Sequence, residues 1–235
     1  MKKPLEFHFF DTIDSTQTQA KKIHKKSQVV HVVVATAQTQ GKGRLGATWV
    51  SPENSGLYVT LAFKTGGKNT SSLSHLAACA ACLSIDRIEP QIRWPNDILV
   101  KEKKIGGVMT EIIDDYAYCG IGINLCNHAD FKNVTDQPYT SYDKHSTAPD
   151  LKELCKAIAT TFNELLESWD MGGFKNIKDV YTKYFQHMHK DVIVDTPEGL
   201  LKGKLIDFSD EGYPVLQQNS SILIIKHLGH INAQA

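Results

Sequence analysis

Residues 41–49 read Gly-Lys-Gly-Arg-Leu-Gly-Ala-Thr-Trp, three glycines interleaved with two cations, a combination suited to gripping an anion. Glycine lets backbone N–H groups come close to a ligand, and Lys42 and Arg44 at alternate positions add charge. The first six residues fit the G-x-G-x-x-G dinucleotide fingerprint, but that fingerprint must open a helix. Here Gly46 is followed by ATWVSPENSG, in which Pro52, Asn54 and Gly56 forbid one. A phosphate-binding P-loop fails as well, because Ala47 stands where its lysine is required. What is left is a strand-loop-strand connection that is either an anion-binding loop or an ordinary glycine-rich turn with solvated charges. Two further segments, RWPNDILVKEKKIGGVMTE at 93–111 and GIGIN at 120–124, also set glycines, a lysine and amides at strand ends. A rigid scaffold presents such groups to a common ligand.

The elements that must position these groups follow from periodicity. LEFHFF reads as a strand, and DSTQTQAKKIHKK as a helix with Thr16 and Gln19 spaced as a capping box. VVHVVVATA is a β-branched run too hydrophobic for an edge strand, and GLYVTLAFK is a second strand after the glycine loop. Residues 73–83 read as an apolar helix; from Ile92 the pattern turns to strands and hairpins, IRWPNDILV, IGGVMTEII and AYCGIGINLC, separated by KEKK and DDY. Residues 127–149 lack periodicity and read as loop. Helices are expected at 150–169, capped by Asp150 with Glu153 in its first turn, and at about 174–188. The remaining residues are short strands between turn signals, a small all-β barrel in outline. The whole is an α+β fold, a mixed sheet with flanking helices over 1–188 and a β unit over 189–235.

Bulk properties narrow the function classes. With 235 residues and 41% apolar content the chain can bury a real core. Lys plus Arg equal Asp plus Glu at 26 each, so no net field draws the molecule to nucleic acid or an acidic membrane. No apolar run approaches bilayer length and the N-terminus carries no leader, so a cytoplasmic protein is expected. Five scattered cysteines form no disulfide framework. Cys79 and Cys82 do make a C-x-x-C, but on an apolar helix with no second half of a zinc site, so core packing is the better reading. The histidines, including those of HMH at His187 and HLGH at His227, read as surface or packing residues.

Five stretches in order, DST at 14–16, GKGRLGATW at 41–49, WPND at 94–97, KKIGG at 103–107 and GIGIN at 120–124, resemble the motifs of the biotin protein ligases. The resemblance covers about residues 9–125, and the C-terminal strands look like that family's small SH3-like domain. It implies a class II synthetase-like catalytic fold and a two-step acyl transfer. Biotin's carboxylate attacks the α-phosphate of ATP to give biotinyl-AMP, and a lysine of the biotin carboxyl carrier protein of acetyl-CoA carboxylase then takes the acyl group. Two anions about 4 Å apart repel by roughly 4 kcal/mol at an effective dielectric near 20, so local cations are required. Lys42, Arg44 and Lys104 supply them; Arg44 and Lys104 are the catalytic candidates, Arg44 as a bidentate fork and Lys104 as a point charge on the biotin carboxylate.

By the same resemblance Ser15, Thr16, Gln17 and Gln38, with Gly41, Lys42, Gly43, Arg44, Lys104, Gly107 and Gly120, match the biotin site. Biotin's ureido ring carries two N–H donors and a carbonyl, all costly to bury unpaired. Lys42, Gly43, Arg44, Trp49, Asn96, Asp97 and Asn124 match the nucleotide side, with Mg2+ arriving on ATP rather than at a dedicated protein metal site. Plain structural readings stand beside these: a helix cap for Thr16, a loop glutamine for Gln38, a core tryptophan for Trp49, and an Asx turn after Pro95 for Asn96 and Asp97. The family loop usually reads G-R-G-R-x-G-R, so Lys42 replaces an arginine and Ala47 removes a third cation. Some members carry an N-terminal helix-turn-helix domain, for which the early first strand leaves no room. A lipoate or octanoate transferase, which must seat an aliphatic chain, and a non-catalytic biotin-binding module are the rival readings. The sequence leaves open whether two copies pair through the sheet as a homodimer.

Overall fold

A computed structural model describes residues 2–23, 28–133, 137–197, 199–226, 229 and 231–233. The chain opens with strand β1 (Leu5–Ile13), helix α1 (Thr16–Ile23) and strand β2 (Val30–Gln38). The glycine loop follows, with a single 3-10 turn at Arg44–Gly46 and no α-helix, and leads to β3 (Gly56–Lys64) and helix α2 (Leu73–Ser84). Four strands complete the sheet: β4 (Gln91–Arg93), β5 (Asp97–Val100), β6 (Lys103–Ile113) and β7 (Tyr116–Asn124). Their order is β1-β2-β3-β7-β6-β5-β4. Only β1 and β2 run parallel; the other pairs are antiparallel.

A β-branched strand such as β2 needs cover on both faces. On one face Val33 packs with Ala20 of α1, Ala62 of β3 and Tyr118 of β7. On the other, Val32 and Val34 join the main core with Leu61, the buried face of α2 and helix α3 (Leu151–Gly172). Asp150 caps α3 as its type and position predict, its carboxylate accepting from the N–H groups of Lys152 at 2.9 Å and Glu153 at 3.0 Å. Cys79 and Cys82 lie buried in α2, and that burial pushes both thiols up. No helix among the described residues is long and apolar enough to cross a membrane.

Three local expectations need correction, and part of a fourth lies outside the described residues. Thr16 is the first residue inside α1, and its hydroxyl lies between Gln38 and Thr60, so it makes no capping box with Gln19. The last residues of the expected first helix, His24 to Lys26, lie outside the described residues, as does His227. IRWPNDILV is no single strand: it folds as the β4–β5 hairpin around Trp94–Asn96. In place of one helix over 174–188 there is a 3-10 turn (Gly173–Asn176) and a short α4 (Lys178–Tyr184). The helix stops because Phe185 turns extended and bridges to Ile92 at the sheet edge, with the Gln186 N–H donating to Ile92 O at 3.0 Å.

Strands β8 (Asp191–Thr196), β9 (Gly199–Phe208), β10 (Pro214–Gln218), β11 (Ser221–Ile224) and β12 (Ile231–Ala233) form a second, antiparallel sheet in the order β11-β10-β9-β8-β12. Its Val192, Val194, Leu205 and Leu216 belong to the same continuous core as α2. Phe208 seats it, meeting Tyr181 edge-on at 5.1 Å and Phe185 at 4.9 Å between ring centroids. Replacing Asp150 with alanine should remove about 1 kcal/mol. In a chain of this size that lowers the melting temperature by about 2–4 °C in a calorimetric scan.

Candidate functional site

Parallel pairing of β1 and β2 brings their C-terminal ends side by side, Ile13 opposite Gln38. The chain leaving β1 therefore starts α1 against the end of β2. Thr16 donates to Gln38 Oε1 from its N–H at 2.8 Å and its hydroxyl at 3.2 Å, and Gln38 Nε2 donates to Ser51 Oγ at 2.8 Å. Gln17 reaches across the sheet: its Nε2 donates to the carbonyls of Met109 and Tyr118, each at 3.2 Å. Ser15 Oγ and Gln17 Oε1 are buried and have no partner among the described residues. Buried polar atoms are normally paired, so these two leave hydrogen-bonding capacity unused in the wall of the cleft.

Beside them the sheet is cut away to glycine. Gly107 and Gly122 face each other across β6 and β7, and a Cβ on Gly122 would lie 2.5 Å from the Trp49 indole. A Cβ on Gly120 would come within 2.9 Å of Gln17 Nε2. The bare backbone is thus a shelf on which Trp49 and Gln17 lie. The glycine loop arches over it as a ribbon closed on itself: Gly43 N–H donates to Ala47 O at 2.7 Å, Ala47 N–H to Arg44 O at 3.0 Å, and Trp49 N–H to Gly41 O at 2.9 Å. The Gly43 amide is therefore spent inside the loop rather than offered to an anion, which leaves charge as the loop's main contribution.

Arg44 folds back from the ribbon and donates to Asn96 Oδ1 at 3.0 Å, and Asn96 Nδ2 donates to Val108 O at 3.1 Å. Burial lowers the Arg44 guanidinium from its ordinary value and the nearby Asp97 opposes that. Asp97, only 2% exposed, is held between Arg93 and Lys104, each at 2.6 Å. Burial alone would raise its carboxyl, but Lys104 and Arg93 outweigh it and hold the group below the usual carboxylate range. Lys104 Nζ also lies 5.5 Å from the centre of the Trp49 ring. Three cations against one carboxylate leave a positive excess at this end.

One cleft of about 250 Å³ is lined by Ser15, Thr16, Gln17, Gln38, Lys42, Gly43, Arg44, Trp49, Asn96, Asp97, Lys104, Gly107 and Gly120, with apolar atoms of Val59, Val108, Met109 and Ile121 along it. Two expected residues stand elsewhere. Gly41 lies beneath the loop, where a Cβ would overlap Trp49 O at 2.2 Å, so it shapes the ribbon rather than lining the cleft. Asn124 faces a neighbouring cavity of about 220 Å³ that shares Trp49 and Lys104 with the cleft, and donates to Thr140 O at 3.1 Å. Sequence reasoning missed Arg93, Gly122, Ser51 and Gln137, whose Oε1 accepts from Arg93 at 2.6 Å. Arg93 carried a signal, an i,i+4 spacing to Asp97; Gln137 carried none, being far along an aperiodic loop.

Residues 9–124 match the biotin/lipoate A/B protein ligase family. That stretch carries the family's domain. It is 29% identical over 227 residues to the bifunctional ligase/repressor BirA of Bacillus subtilis, covering 91% of this chain and 70% of the relative. It is 26% identical to the biotin--[acetyl-CoA-carboxylase] ligase of Paracoccus denitrificans, over 87% of this chain and 91% of that one. Among solved structures it is similar to the biotin protein ligase of Aquifex aeolicus in complex with biotin and ATP, with a TM-score of 0.83 at 25% identity over 97% of this chain and 99% of that one. The biotin protein ligase fold, with its C-terminal SH3-like domain, accounts for the two sheets.

Gly122→Ala should lift Trp49 off its shelf and weaken ligand binding about tenfold, roughly 1.4 kcal/mol, read by calorimetric titration with the indole emission as a second signal. Asp97 gives a pH signature. Its folded pKa is depressed, so its contribution is present above the unfolded value near 3.9 and lost as pH falls through the folded value. Asp97→Asn should therefore cost about 2 kcal/mol at pH 7, and urea melts of the two proteins should converge as pH is lowered below about 4.

Proposed function

We propose that this chain is an ATP-dependent biotin protein ligase that forms biotinyl-AMP and passes the biotinyl group to a lysine of a biotin carboxyl carrier protein, such as that of acetyl-CoA carboxylase. The observation that carries the reading is the polarity of a single cleft. At one end Ser15 Oγ and Gln17 Oε1 are buried and unpartnered; at the other, Arg44 and Lys104 stand together though they come from a loop and a strand 60 residues apart. Biotin is polar at its ureido ring, apolar along its thioether ring and chain, and anionic at its carboxylate. The cleft repeats that order.

In the first step a carboxylate oxygen of biotin bonds to the α-phosphorus of ATP, and pyrophosphate leaves. Both partners are anionic, so the positive excess near Arg44 and Lys104 offsets their repulsion. Asp97 holds Lys104 in place and Asn96 holds Arg44, so little reorganisation is needed as charge shifts. Trp49 and the arched loop cover the mixed anhydride and limit attack by water. In the second step a neutral lysine amine of the carrier attacks the acyl carbon, forming the amide and releasing AMP. Mg2+ enters on the phosphates of ATP. Asp97 is the sole carboxylate among the described lining residues, and with Arg93 and Lys104 both upon it the group does not fit a metal ligand. The cytoplasm is the compartment this reading implies, since the five cysteines are free.

The family also contains lipoate ligases, whose acyl group is apolar to its end and has no ureido ring. Buried, unpaired oxygens on Ser15 and Gln17 would penalise such a chain and favour the ureido ring. Incubating a carrier domain with ATP and either acid, followed by mass spectrometry, should show the biotin adduct alone; octanoylation or lipoylation in its place overturns the reading. Arg44→Ala and Lys104→Ala should each slow biotin-dependent ATP–pyrophosphate exchange at least tenfold while the protein stays folded. Wild-type exchange in both variants would remove those two residues from the adenylation step.

A further inference from the structure

Away from the cleft, the edge of the large sheet carries a second cluster of ligating groups. Glu6 and His8 lie two apart on β1 and share a face, and His31 of β2 is the register partner of Glu6. His8 Nε2 is 3.2 Å from His31 Nδ1, Glu6 Oε1 is 3.5 Å from His8 Nε2, and Glu6 Oε2 is 3.6 Å from His31 Nδ1. We propose that Glu6, His8 and His31 form a binding site for a divalent cation of the zinc class, a clamp between β1 and β2 that is separate from the catalytic cleft.

The spacing is the first argument. Ligands at about 2.1 Å from a tetrahedral metal stand about 3.4 Å from one another, and the three separations fall on both sides of that figure. The donor set is the second: two imidazole nitrogens and one carboxylate suit zinc and its neighbours, whereas magnesium and calcium prefer all-oxygen shells. The frame is the third. All three side chains project from paired strands rather than loops, with Glu6 and His31 fixed opposite each other by the parallel ladder, so the site is held before any ion arrives. Exposure grades outward from 8% for His31 through 21% for His8 to 56% for Glu6, which leaves the outer position open to water as a fourth ligand.

None of the three residues lines the cleft. The strands they join, however, are the pair whose far ends present Ser15, Gln17 and Gln38. Two imidazoles sharing one proton beside Glu6 would produce a similar arrangement with no ion, and experiment separates the two. The whole 235-residue chain, freed of metal by a chelator, is titrated with Co2+ and with Zn2+, beside His8→Gln and the more exposed Glu6→Gln. Wild type should take up one equivalent of Co2+ with the strong visible bands of a tetrahedral centre, and Zn2+ should raise its melting temperature. Each variant should lose at least tenfold in Zn2+ affinity and the thermal shift with it, while biotin transfer stays at the wild-type rate and shows the fold to be intact. Absence of the cobalt bands in wild type, or Zn2+ affinity unchanged in both variants, overturns the site.

Discussion

A buried carboxylate between two cations organises the cationic end of the cleft. Asp97 is almost wholly out of water, a costly place for a charge unless it is paired, and Arg93 and Lys104 pair it on both sides. The arrangement works in the other direction too. An isolated lysine at the mouth of a cleft would swing freely, while Lys104, tethered to Asp97 and close to the Trp49 ring, keeps its charge at one point. Arg93 completes the balance from the neighbouring strand and reaches Gln137, so the loop after β7 is drawn into the same network. The cleft thus carries positive charge that is already paid for when an anion arrives.

The sheet supplies the rest through subtraction. Side chains at positions 120 and 122 would fill the space that Gln17 and Trp49 occupy, so glycine there is a requirement of volume rather than of backbone conformation, and at 107 a side chain would only crowd the Trp49 ring. The parallel β1–β2 pair contributes the polar end, because only a crossover through α1 sets the ends of both strands side by side. Three kinds of wall meet in one groove: hydrogen-bonding, apolar and cationic.

Much of this was legible in the sequence, and the reasons it was legible are specific. Pro52 and Gly56 ruled out a helix after the loop, and the structure has strand β3 there; β-branched VVHVVV demanded a central position, and β2 has neighbours on both sides. The motif residues Arg44, Asn96, Asp97 and Lys104 fall on one cleft. Pairing was harder to read than position. Nothing in WPND says that its aspartate is consumed by Arg93 and Lys104, nor that Gly43 spends its amide on Ala47, since both outcomes depend on how distant segments dock. The end of α4 was missed because Phe185 obeys the sheet edge rather than helical periodicity. Glu6, His8 and His31 went unread together because a cluster formed by two strands leaves no spacing signature along one chain.

The ribbon formed by residues 41–49 has one more implication. Its backbone bonds close within the segment, Leu45 at its tip is 99% exposed, and among its side chains Arg44 and Trp49 make the contacts with the sheet. Such a segment behaves as an exchangeable cassette: residues at the tip can drift in ancestry, or be recoded in the laboratory, without disturbing the scaffold beneath. Change at the tip is thereby uncoupled from change in the helix and strands that build the cleft beneath.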